Sequence, residues 1–329
     1  MILAGDIGGT KTVIGLFDEV DTRLQATRED TFPSGSHGAL QEILERFLGG
    51  GPRPALRAAC FGVAGPVVEG RCKTINLPWE LDEITLAETL QVPRVKLLND
   101  LEAAAYGMLH LDQTDLCVLQ PGLPGKGNIA VIAAGTGLGE AILYWVGELH
   151  QPLASEGGHA DFAPQTDLEV ELLRYLRREV GHVSYERLLS GPGFFNIYRF
   201  LRDSGFAPEP EWLRERIAQG DPSAVVSQLG LAGEHPLCIK TLDLFTSVYG
   251  SEAGNLALKA LALGGVYVGG GIAPKILPKL QDGTFIRAFN EKGRLAELTR
   301  TIPVKVALNP SAPLLGAAHY ARLWLGGGA

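Results

Sequence analysis

The chain has 329 residues, of which 46% are hydrophobic and 20% are charged, and its formal net charge at pH 7 is −8. A chain of this length and composition can bury the cores of two ordinary domains, which excludes an intrinsically disordered protein. The surplus of acidic residues argues against a general nucleic-acid-binding protein, because that function requires a basic surface.

The cysteines and the apolar segments indicate a cytosolic protein. The four cysteines show neither C-x-x-C spacing nor a zinc-binding pattern, so we expect reduced, buried thiols. The N-terminus, MILAGDIGGT, has no basic region before its apolar run, and we expect no signal peptide. Lys259 and five glycines interrupt the most apolar stretch, residues 256–272, which argues against a membrane span. The cysteines are Cys60, Cys72, Cys117 and Cys238.

The N-terminal part alternates strand-like and helical segments, which predicts a mixed α/β fold. The first two apolar runs flank a glycine turn and predict a hairpin. The first helical segment places Leu40, Ile43, Leu44 and Phe47 on one face. The predicted segments are strands at 2–5, 12–18, 57–65 and 94–100 and helices at 38–48 and 101–109.

The rest of the chain opens with strands, continues with long helices, and closes with strands and a last helix. We estimate a domain boundary near Leu111 and a loop at 123–128. The predicted strands are 116–122, 127–147, 266–271 and 302–308, and the predicted helices are 167–181, 191–205, 211–220, 241–265 and 312–325. Residues 3–18 and 132–145 share one plan, a strand entering a Gly-Thr turn and a strand leaving it, which suggests a duplicated unit.

The segment DIGGTKT, residues 6–12, is not a Walker A loop, because a β-rich run follows its lysine instead of a helix. We interpret it as a hairpin whose glycines let backbone N–H groups approach a phosphate, with a hydroxyl from Thr10 and a cation from Lys11. Asp6 at the strand end is a candidate ligand for hydrated Mg²⁺. An ordinary tight hairpin with a surface lysine is the open alternative.

A second glycine turn, AAGTGLGE at residues 133–140, nearly matches a dinucleotide fingerprint through Gly135, Gly137 and Gly139. That fingerprint must open a helix, whereas a strand-like run follows here. A second phosphate hairpin with Thr136 as hydroxyl donor fits better.

Polar residues cluster in two later segments. In EGGHADFAP, Glu156 and His159 flank two glycines and Asp161 follows, which suits the hydroxyls of a sugar. An iron site of the His-x-Asp kind would need another histidine and a β-barrel, and a structural histidine is the further alternative. In GHVSYERLLSGPG, Glu186 follows Ser184 at an expected helix start, where a solvated helix residue is the alternative.

Two more segments combine structural and functional interpretations. In VYVGGGIAPKIL, Gly269–Gly271 follow a buried strand and Pro274 suits a first helical turn, so the loop either holds a flat base or simply turns. In LLNDLEAAAYG, Asn99 and Glu102 fit a capping box. On these residues alone, helix capping is favoured over catalysis for Asp100.

Taken together, these segments resemble the bacterial glucokinase family, the ATP-dependent group of the sugar kinase/actin superfamily. GDIGGTKT and AGTGLGEA are similar to its two phosphate motifs, NDLEAAAYG to its catalytic segment, and SEGGHADFAP and GHVSYERLLSGPG to its sugar-binding segments. GGGIAPK, FNEKGR and IPV complete the C-terminal pattern, and the order is kept along nearly the whole chain.

The resemblance implies a two-domain α/β fold of the actin-like (ribonuclease H-like) type with a cleft between the domains. The small domain would comprise residues 1–110 with the last helix, 311–329, and the large domain residues 111–310. The family further suggests a homodimer in the cytoplasm, with no nucleic-acid or membrane partner.

The resemblance also implies phosphorylation of D-glucose at its 6-hydroxyl by ATP with Mg²⁺, and Asp100 would be the general base. The residues implied to bind the sugar are Asn99, Asp100, Gly137, Glu156, His159 and Glu186. Those implied to bind the nucleotide are Asp6, Gly8, Gly9, Thr10, Lys11, Gly135, Thr136 and Gly270, with Gly137 also near the phosphates. Lys11 and Thr12 stand where many members carry a different pair, and the cysteine-rich zinc motif of the relative repressor/kinase (ROK) family is absent.

Three alternatives stay open at this point. A kinase for another hexose or an amino sugar differs only in geometry that the sequence does not contain. A non-catalytic sugar sensor is disfavoured, because Asp100 is present and no helix-turn-helix segment is expected before Met1. An actin-like filament ATPase is less favoured, because such a protein would have no function for Glu156, His159 and Glu186.

Overall fold

The computed structural model describes residues 1–21, 23–49, 54–74, 76–123, 125–153 and 155–325. Its strands are β1 Ile2–Ile7, β2 Lys11–Val20, β3 Arg23–Pro33, β4 Ala58–Val63, β5 Val67–Val68, β6 Arg71–Lys73, β7 Glu80–Asp82, β8 Val95–Asn99, β9 Leu116–Gln120, β10 Ile129–Ala134, β11 Leu138–Val146, β12 Leu149–Leu153, β13 Gly265–Gly269 and β14 Val304–Ala307. Its α-helices are α1 Leu40–Leu48, α2 Glu83–Leu90, α3 Asp100–Met108, α4 Asp167–Val180, α5 Gly191–Asp203, α6 Glu211–Ala218, α7 Pro222–Ala232, α8 Pro236–Ala260, α9 Leu277–Gln281, α10 Thr284–Asn290, α11 Ala296–Thr301 and α12 Ala312–Leu325.

The chain divides into two compact units. The first unit comprises Met1–Gln113, Val146–Ala154 and Asn309–Ala329, and the second comprises Thr114–Trp145 and Ser155–Leu308. The domain boundaries implied by the family resemblance, near residues 110 and 311, stay a prediction. None of the helices in the described ranges combines the length and the apolarity that crossing a membrane requires.

The first unit is built on a mixed sheet with the strand order β3-β2-β1-β4-β8. Strand β1 is antiparallel to β2 and parallel to β4, and β4 is parallel to β8. Every residue of β4 is buried, as expected for a central parallel strand that is covered on both faces. The predicted hairpin of β1 and β2 is confirmed, and so is the buried face of α1, formed by Leu40, Ile43, Leu44 and Phe47.

Helix α12 returns to the first unit and packs against α3, β1 and β4. Two glycines allow the helices to approach closely. A Cβ added to Gly107 of α3 would lie 1.8 Å from Ala312 O, and one added to Gly316 of α12 would lie 1.8 Å from Ala103 O. This tight contact fixes α3, whose first residue is Asp100.

Five strands of the second unit run in the order β11-β10-β13-β14-β9. Strand β10 is antiparallel to β11 and parallel to β13, and β13 is parallel to β14. The sequence β11-β10-β13-β14 therefore repeats the plan of β2-β1-β4-β8, and the duplication predicted from the sequence is present in the fold. The long helix α8 packs against β10 and β13 of this sheet and also against the helices α5, α7 and α10.

Several local expectations differ from the structure. The segment around Glu186 is a 3₁₀ turn, Tyr185–Arg187, and the following α-helix begins only at Gly191, because Ser190 caps it by accepting from Gly193 N–H. The helix predicted at 241–265 begins earlier, with Pro236 in its first turn. Pro274 lies in a 3₁₀ turn ahead of α9. Within the predicted loop 123–128, residue 124 lies outside the described residues.

The sulfur chemistry agrees with the expectation for three of the four cysteines. Cys60, Cys72 and Cys238 are free and buried, whereas Cys117 is only partly buried. Burial raises the pKa of the Cys238 thiol to about 12, so this thiol stays protonated at neutral pH.

Candidate active site

The turn between β1 and β2 carries the predicted residues Gly8, Gly9, Thr10 and Lys11. Gly8 N–H donates to Lys11 O at 3.0 Å and closes the turn. Thr10 and Lys11 are exposed. The turn therefore presents a hydroxyl and an ammonium group to solvent on a closed backbone loop.

Ser34, a residue that the sequence analysis missed, stabilises this turn through hydrogen bonds. Ser34 is fully buried; its N–H donates to Thr10 O at 3.0 Å and its hydroxyl donates to Gly8 O at 2.7 Å. The buried Thr12 hydroxyl lies 2.9 Å from Ser34 Oγ. No motif in the sequence connects Ser34 with Gly8, because the two residues meet only when β3 pairs with β2.

Asp6 lies on β1 just before the turn and is largely buried. Burial raises the pKa of its carboxyl group to about 6; the negative charge of Asp100 acts in the same direction, and the Lys11 ammonium opposes both. The side chains of Asp6, Lys11 and Asp100 thus belong to one electrostatic neighbourhood of the first unit. Its two carboxylates repel each other.

Asn99 and Asp100 stand where β8 ends and α3 begins, and the predicted capping box is confirmed. Asn99 Oδ1 accepts from Leu101 N–H at 2.9 Å, and Glu102 Oε2 accepts from Asn99 N–H at 2.8 Å. Asn99 Nδ2 also donates to Gly65 O at 3.1 Å. Asp100 is exposed, and its Oδ1 accepts from Leu101 N–H at 2.9 Å. Asn99 and Glu102 supply the capping box, and Asp100 adds a carboxylate at the same helix start.

The turn between β10 and β11 carries Gly135, Thr136 and Gly137. Gly135 N–H donates to Gly137 O at 2.8 Å, and Gly135 O accepts from Gly191 N–H at 2.8 Å. A strand follows the turn and not a helix, so the dinucleotide fingerprint is excluded as predicted. Thr136 is exposed at the tip.

Gly270 lies against the base of this second turn. Its φ angle is +80°, and a Cβ at this position would lie 2.2 Å from Ala134 O, so only glycine fits. The Tyr249 hydroxyl, fully buried on α8, lies behind both segments: Ala134 N–H donates to it at 3.2 Å, and Gly269 O lies 3.3 Å from it. Sequence reasoning missed Tyr249, which looks like any apolar position of a buried helix.

Glu156, His159 and Glu186 come together in the second unit. His159 Nε2 lies 3.9 Å from Glu156 Oε2, and His159 Nδ1 lies 3.9 Å from Glu186 Oε1. Glu186 Oε2 also accepts from Leu138 N–H at 3.0 Å, which ties this cluster to the second glycine turn. A Cβ on Gly137 would lie 2.5 Å from that same oxygen, so the glycine leaves room for the carboxylate.

The two turns that carry this cluster are joined through their backbones. Tyr185 N–H donates to Ala160 O at 3.0 Å, and Phe162 N–H donates to Val183 O at 2.9 Å. Asp161 does not join the cluster, since its Oδ1 lies 2.6 Å from His182 Nε2. Within the part of the chain that the structure describes, no group of three or more His, Cys, Asp or Glu side chains is arranged to hold a metal ion.

The structure thus assembles two sets of predicted residues, each within one unit. The first unit holds Asp6, Gly8, Gly9, Thr10, Lys11, Asn99 and Asp100. The second unit holds Gly135, Thr136, Gly137, Glu156, His159, Glu186 and Gly270. The first set is charged and can bind phosphate or a cation, while the second offers hydroxyl-binding side chains and close backbone approach.

Comparison with known proteins decides the family. A model of the Glucokinase family matches residues 3–323. The chain belongs to the glucokinase family. The glucokinase of Nostoc punctiforme is 42% identical over 333 aligned residues, which cover 97% of this chain and 98% of that protein. The crystal structure of a glucokinase from an Antarctic psychrotroph matches with a TM-score of 0.87 at 33% identity and covers 98% of each chain.

The fold extends to more distant sugar kinases. A ROK family glucokinase from Streptomyces griseus, solved in complex with glucose and AMPPNP, matches with a TM-score of 0.64 at 22% identity over 98% of this chain and 99% of that one. At this identity the likeness concerns the fold alone. Together the comparisons confirm the predicted family, the predicted α/β actin-like sugar-kinase fold and the prediction of a glucokinase enzyme, for which the family implies ATP as a substrate.

Proposed function

We propose that this enzyme transfers the γ-phosphoryl group of ATP to the 6-hydroxyl of D-glucose, with Asp100 as the general base. The products are glucose 6-phosphate and ADP. The observation that carries the proposal is the exposed Asp100 carboxylate at the first residue of α3, beside a capping box that Asn99 and Glu102 make. Membership of the glucokinase family gives the class of reaction, and this carboxylate offers the group that the reaction needs.

The start of α3 is a suitable position for a general base. Leu101 N–H donates to both Asn99 Oδ1 and Asp100 Oδ1 at 2.9 Å, which restrains the carboxylate, and the helix dipole favours a negative charge there. Phosphoryl transfer passes through a loose transition state, so most of its catalysis comes from positioning and from charge stabilisation. A positioned base adds about 10²- to 10⁴-fold to the rate.

Glu156, His159 and Glu186 are the proposed partners of the other sugar hydroxyls. Carboxylate oxygens accept hydrogen bonds from hydroxyl groups, and an imidazole offers either a donor or an acceptor. The 3.9 Å spacings within the cluster leave each pair too far apart for a direct hydrogen bond, so these side chains are available to a ligand. An epimer that leaves one of these groups unpaired is rejected strongly.

Asn99 and Gly137 complete the proposed sugar contacts. One hydrogen of the Asn99 amide is taken by Gly65 O, and the second is offered to a hydroxyl. Gly137 contributes by leaving space for the Glu186 carboxylate.

The two glycine turns are the proposed phosphate contacts. Gly8, Gly9, Thr10 and Lys11 would hold one part of the polyphosphate through backbone N–H groups, a hydroxyl and an ammonium. Gly135 and Thr136 would hold another part. Gly270, whose backbone packs against Ala134, would lie beside the adenosine.

Asp6 is the proposed contact for Mg²⁺, through water. The residues present fit this ion, because Asp6 and Asp100 are oxygen donors that repel each other, and Lys11 only partly offsets the repulsion. When bound, Mg²⁺ supplies positive charge against the phosphate oxygens. Lys11 contributes a second positive charge to the same neighbourhood.

We further propose a homodimeric enzyme that works in the cytoplasm, where its substrate ATP is made. The homodimer rests on the family resemblance, and sedimentation equilibrium of the purified chain measures it directly. A single species at the mass of one chain, 35.1 kDa, at all concentrations would contradict it.

The test of the reaction is ATP consumption with Mg²⁺ and each of glucose, mannose, fructose, galactose, glucosamine and N-acetylglucosamine. We expect glucose to give the highest kcat/KM. Asp100→Asn keeps an acceptor oxygen for Leu101 N–H and removes the base, so we expect kcat to fall by about 10²- to 10⁴-fold while glucose still binds.

Asp112→Asn is the matched control, an exposed aspartate in the loop after α3 that should retain the wild-type kcat. Another sugar with a higher kcat/KM would assign the enzyme to that hexose or amino sugar. If a sugar binds and none is phosphorylated, the chain is a sensor and Asp100 serves only the start of the helix.

A further inference from the structure

A buried pair of carboxyl groups adjoins the turns that carry the proposed sugar-binding cluster. Glu140 of β11 is 1% exposed and Glu252 of α8 is fully buried. Their side chains share a hydrogen bond, and two carboxyl groups can do so only when one of them carries a proton. Among the described residues, Glu140 Oε1 has no hydrogen-bond partner.

The surroundings indicate which group holds the proton. Glu252 accepts from Lys259 Nζ at 3.0 Å and from Asn255 Nδ2 at 2.8 Å, so its negative charge is compensated. Burial and the charge of Glu252 raise the pKa of the Glu140 carboxyl well above its usual range, and Lys259 opposes them. Of the two carboxyl groups, Glu140 is therefore the one that carries the shared proton.

Among the described residues, two tyrosine hydroxyls and a lysine also interact with this pair. The Tyr185 hydroxyl bonds to Glu252, and the buried Tyr249 hydroxyl lies in the field of Glu140. Lys292 interacts electrostatically with Glu252 from the segment after α10. Burial raises the pKa of both tyrosine hydroxyls, so neither ionises near neutral pH, and burial lowers the pKa of the Lys292 ammonium.

The pair is in contact with both turns of the cluster. A Cβ on Gly157 would lie 2.2 Å from Glu140 Oε2, so Glu140 packs directly against the backbone of the Gly157–His159 turn. On the other side, Asn255 Nδ2 donates to Tyr185 Oη at 3.1 Å, and Tyr185 opens the turn that contains Glu186.

We propose that Glu140 is a positioning residue for the sugar: the proton that it shares with Glu252 keeps both turns in the geometry that binds glucose. When this proton is lost, two negative carboxylates face each other away from water, and Glu140 Oε1 has no hydrogen-bond partner among the described residues. A shift of the charged Glu140 side chain then presses on the backbone of Gly157, against which Glu140 Oε2 packs. That movement displaces the turn with His159 and weakens sugar binding, while Asp100 is untouched.

This inference rests on the proposed function, and its test measures glucose binding and turnover separately. Isothermal titration calorimetry with the full chain, from about pH 6 to about pH 9 in buffers of different ionisation enthalpy, gives the Kd and the protons taken up. We expect the Kd of the wild type to rise with pH, with a limit of about tenfold per pH unit, and glucose binding to take up a proton. The kcat should stay within about twofold over the same range, because phosphoryl transfer does not involve the pair.

Three variants isolate the pair. Glu140→Gln imitates the protonated acid in shape and in hydrogen-bond donation. We therefore expect this variant to bind glucose with the wild-type Kd at low pH and to lack the increase in Kd that ionisation of Glu140 causes at high pH. Gly157→Ala pushes the turn away from Glu140, and we expect a higher Kd at every pH with little change in kcat. Glu169→Gln, at another buried acid, on α4, is the control and should keep the wild-type profile.

The inference is overturned if Glu140→Gln shows the same rise of Kd and the same proton uptake as the wild type, since another group then titrates. It is equally overturned if Gly157→Ala binds glucose with the wild-type Kd. A wild-type chain that binds no glucose at any pH contradicts the proposed function itself, and this inference with it.

Discussion

Two stacked histidines make the first unit sensitive to acid. His110, just beyond α3, and His319 of α12 stack with ring centroids 3.6 Å apart and an interplanar angle of 4°. His110 Nε2 and His319 Nδ1 are buried and have no hydrogen-bond partner within the described part of the chain. Burial lowers the pKa of His110 to about 4 and that of His319 to about 3, and the nearby Arg322 adds to both shifts.

The sign of the effect follows from linkage. Both imidazoles are neutral in the folded and in the unfolded chain at pH 7, so they contribute no pH-dependent stability there. Below the ordinary histidine pKa of 6.5 the unfolded chain takes up two protons that the folded chain refuses. At about pH 5 each imidazole therefore lowers the free energy of unfolding by about 2 kcal/mol, and the pair lowers it by about 4 kcal/mol.

Urea denaturation followed by circular dichroism at about pH 7 and pH 5 measures this loss. We expect His319→Phe, which keeps an aromatic ring on His110 and cannot charge, to reduce the loss by about half. His182→Gln, at an exposed histidine, should leave it unchanged. If the wild type and His319→Phe lose the same stability between the two pH values, the stacked pair does not resist protonation and the reasoning is refuted.

Two other substitutions in the first unit have opposite expected effects on stability. Gly107→Ala places a Cβ against Ala312 O and should lower the free energy of unfolding in urea by about 3 kcal/mol or more. Gly35→Ala, whose added Cβ meets no described atom within 4 Å, should change it little. Asp6→Asn should raise stability at pH 7 by about 2 to 3 kcal/mol, because the pKa of Asp6 is about 6 in the folded chain and 3.8 unfolded, so ionised Asp6 opposes folding at neutral pH. The same variant should need more Mg²⁺ for half-maximal activity, and an unchanged Mg²⁺ requirement would contradict the proposed role of Asp6.

The features that the sequence predicts well are those that neighbouring residues determine. The hairpins at Gly8 and Gly135 are flanked by apolar runs with strand periodicity, and both form. The capping box of Asn99 and Glu102 spans only four residues. In each case the partners of the hydrogen bonds lie within one turn of chain, so the residue types and their spacing contain the information.

The features that the sequence does not predict depend on contacts between distant segments. Strand β3 is mostly exposed, and Phe32 is its single buried residue, so it lacks the apolar alternation that marks a strand. Ser34 reaches Gly8 across 26 positions. Glu140 meets Glu252 only when α8 packs on the sheet, and a glutamate within a strand gives no sign of such a partner.

The duplicated plan explains how charge is distributed over the proposed site. Asp6 and Ala133 occupy equivalent positions, one residue before the end of β1 and of β10. The first turn therefore combines a carboxylate with Lys11, whereas the second has neither and relies on backbone groups and Thr136. The hydrogen bonds that stabilise the two turns differ as well. The Ser34 hydroxyl donates to Gly8 O in the first turn, whereas Leu138 N–H, at the end of the second turn, donates to the Glu186 carboxylate. Glu186, which we propose to bind the sugar, is thus hydrogen-bonded to a turn that we propose to bind the nucleotide, and displacement of either one is transmitted to the other within the second unit.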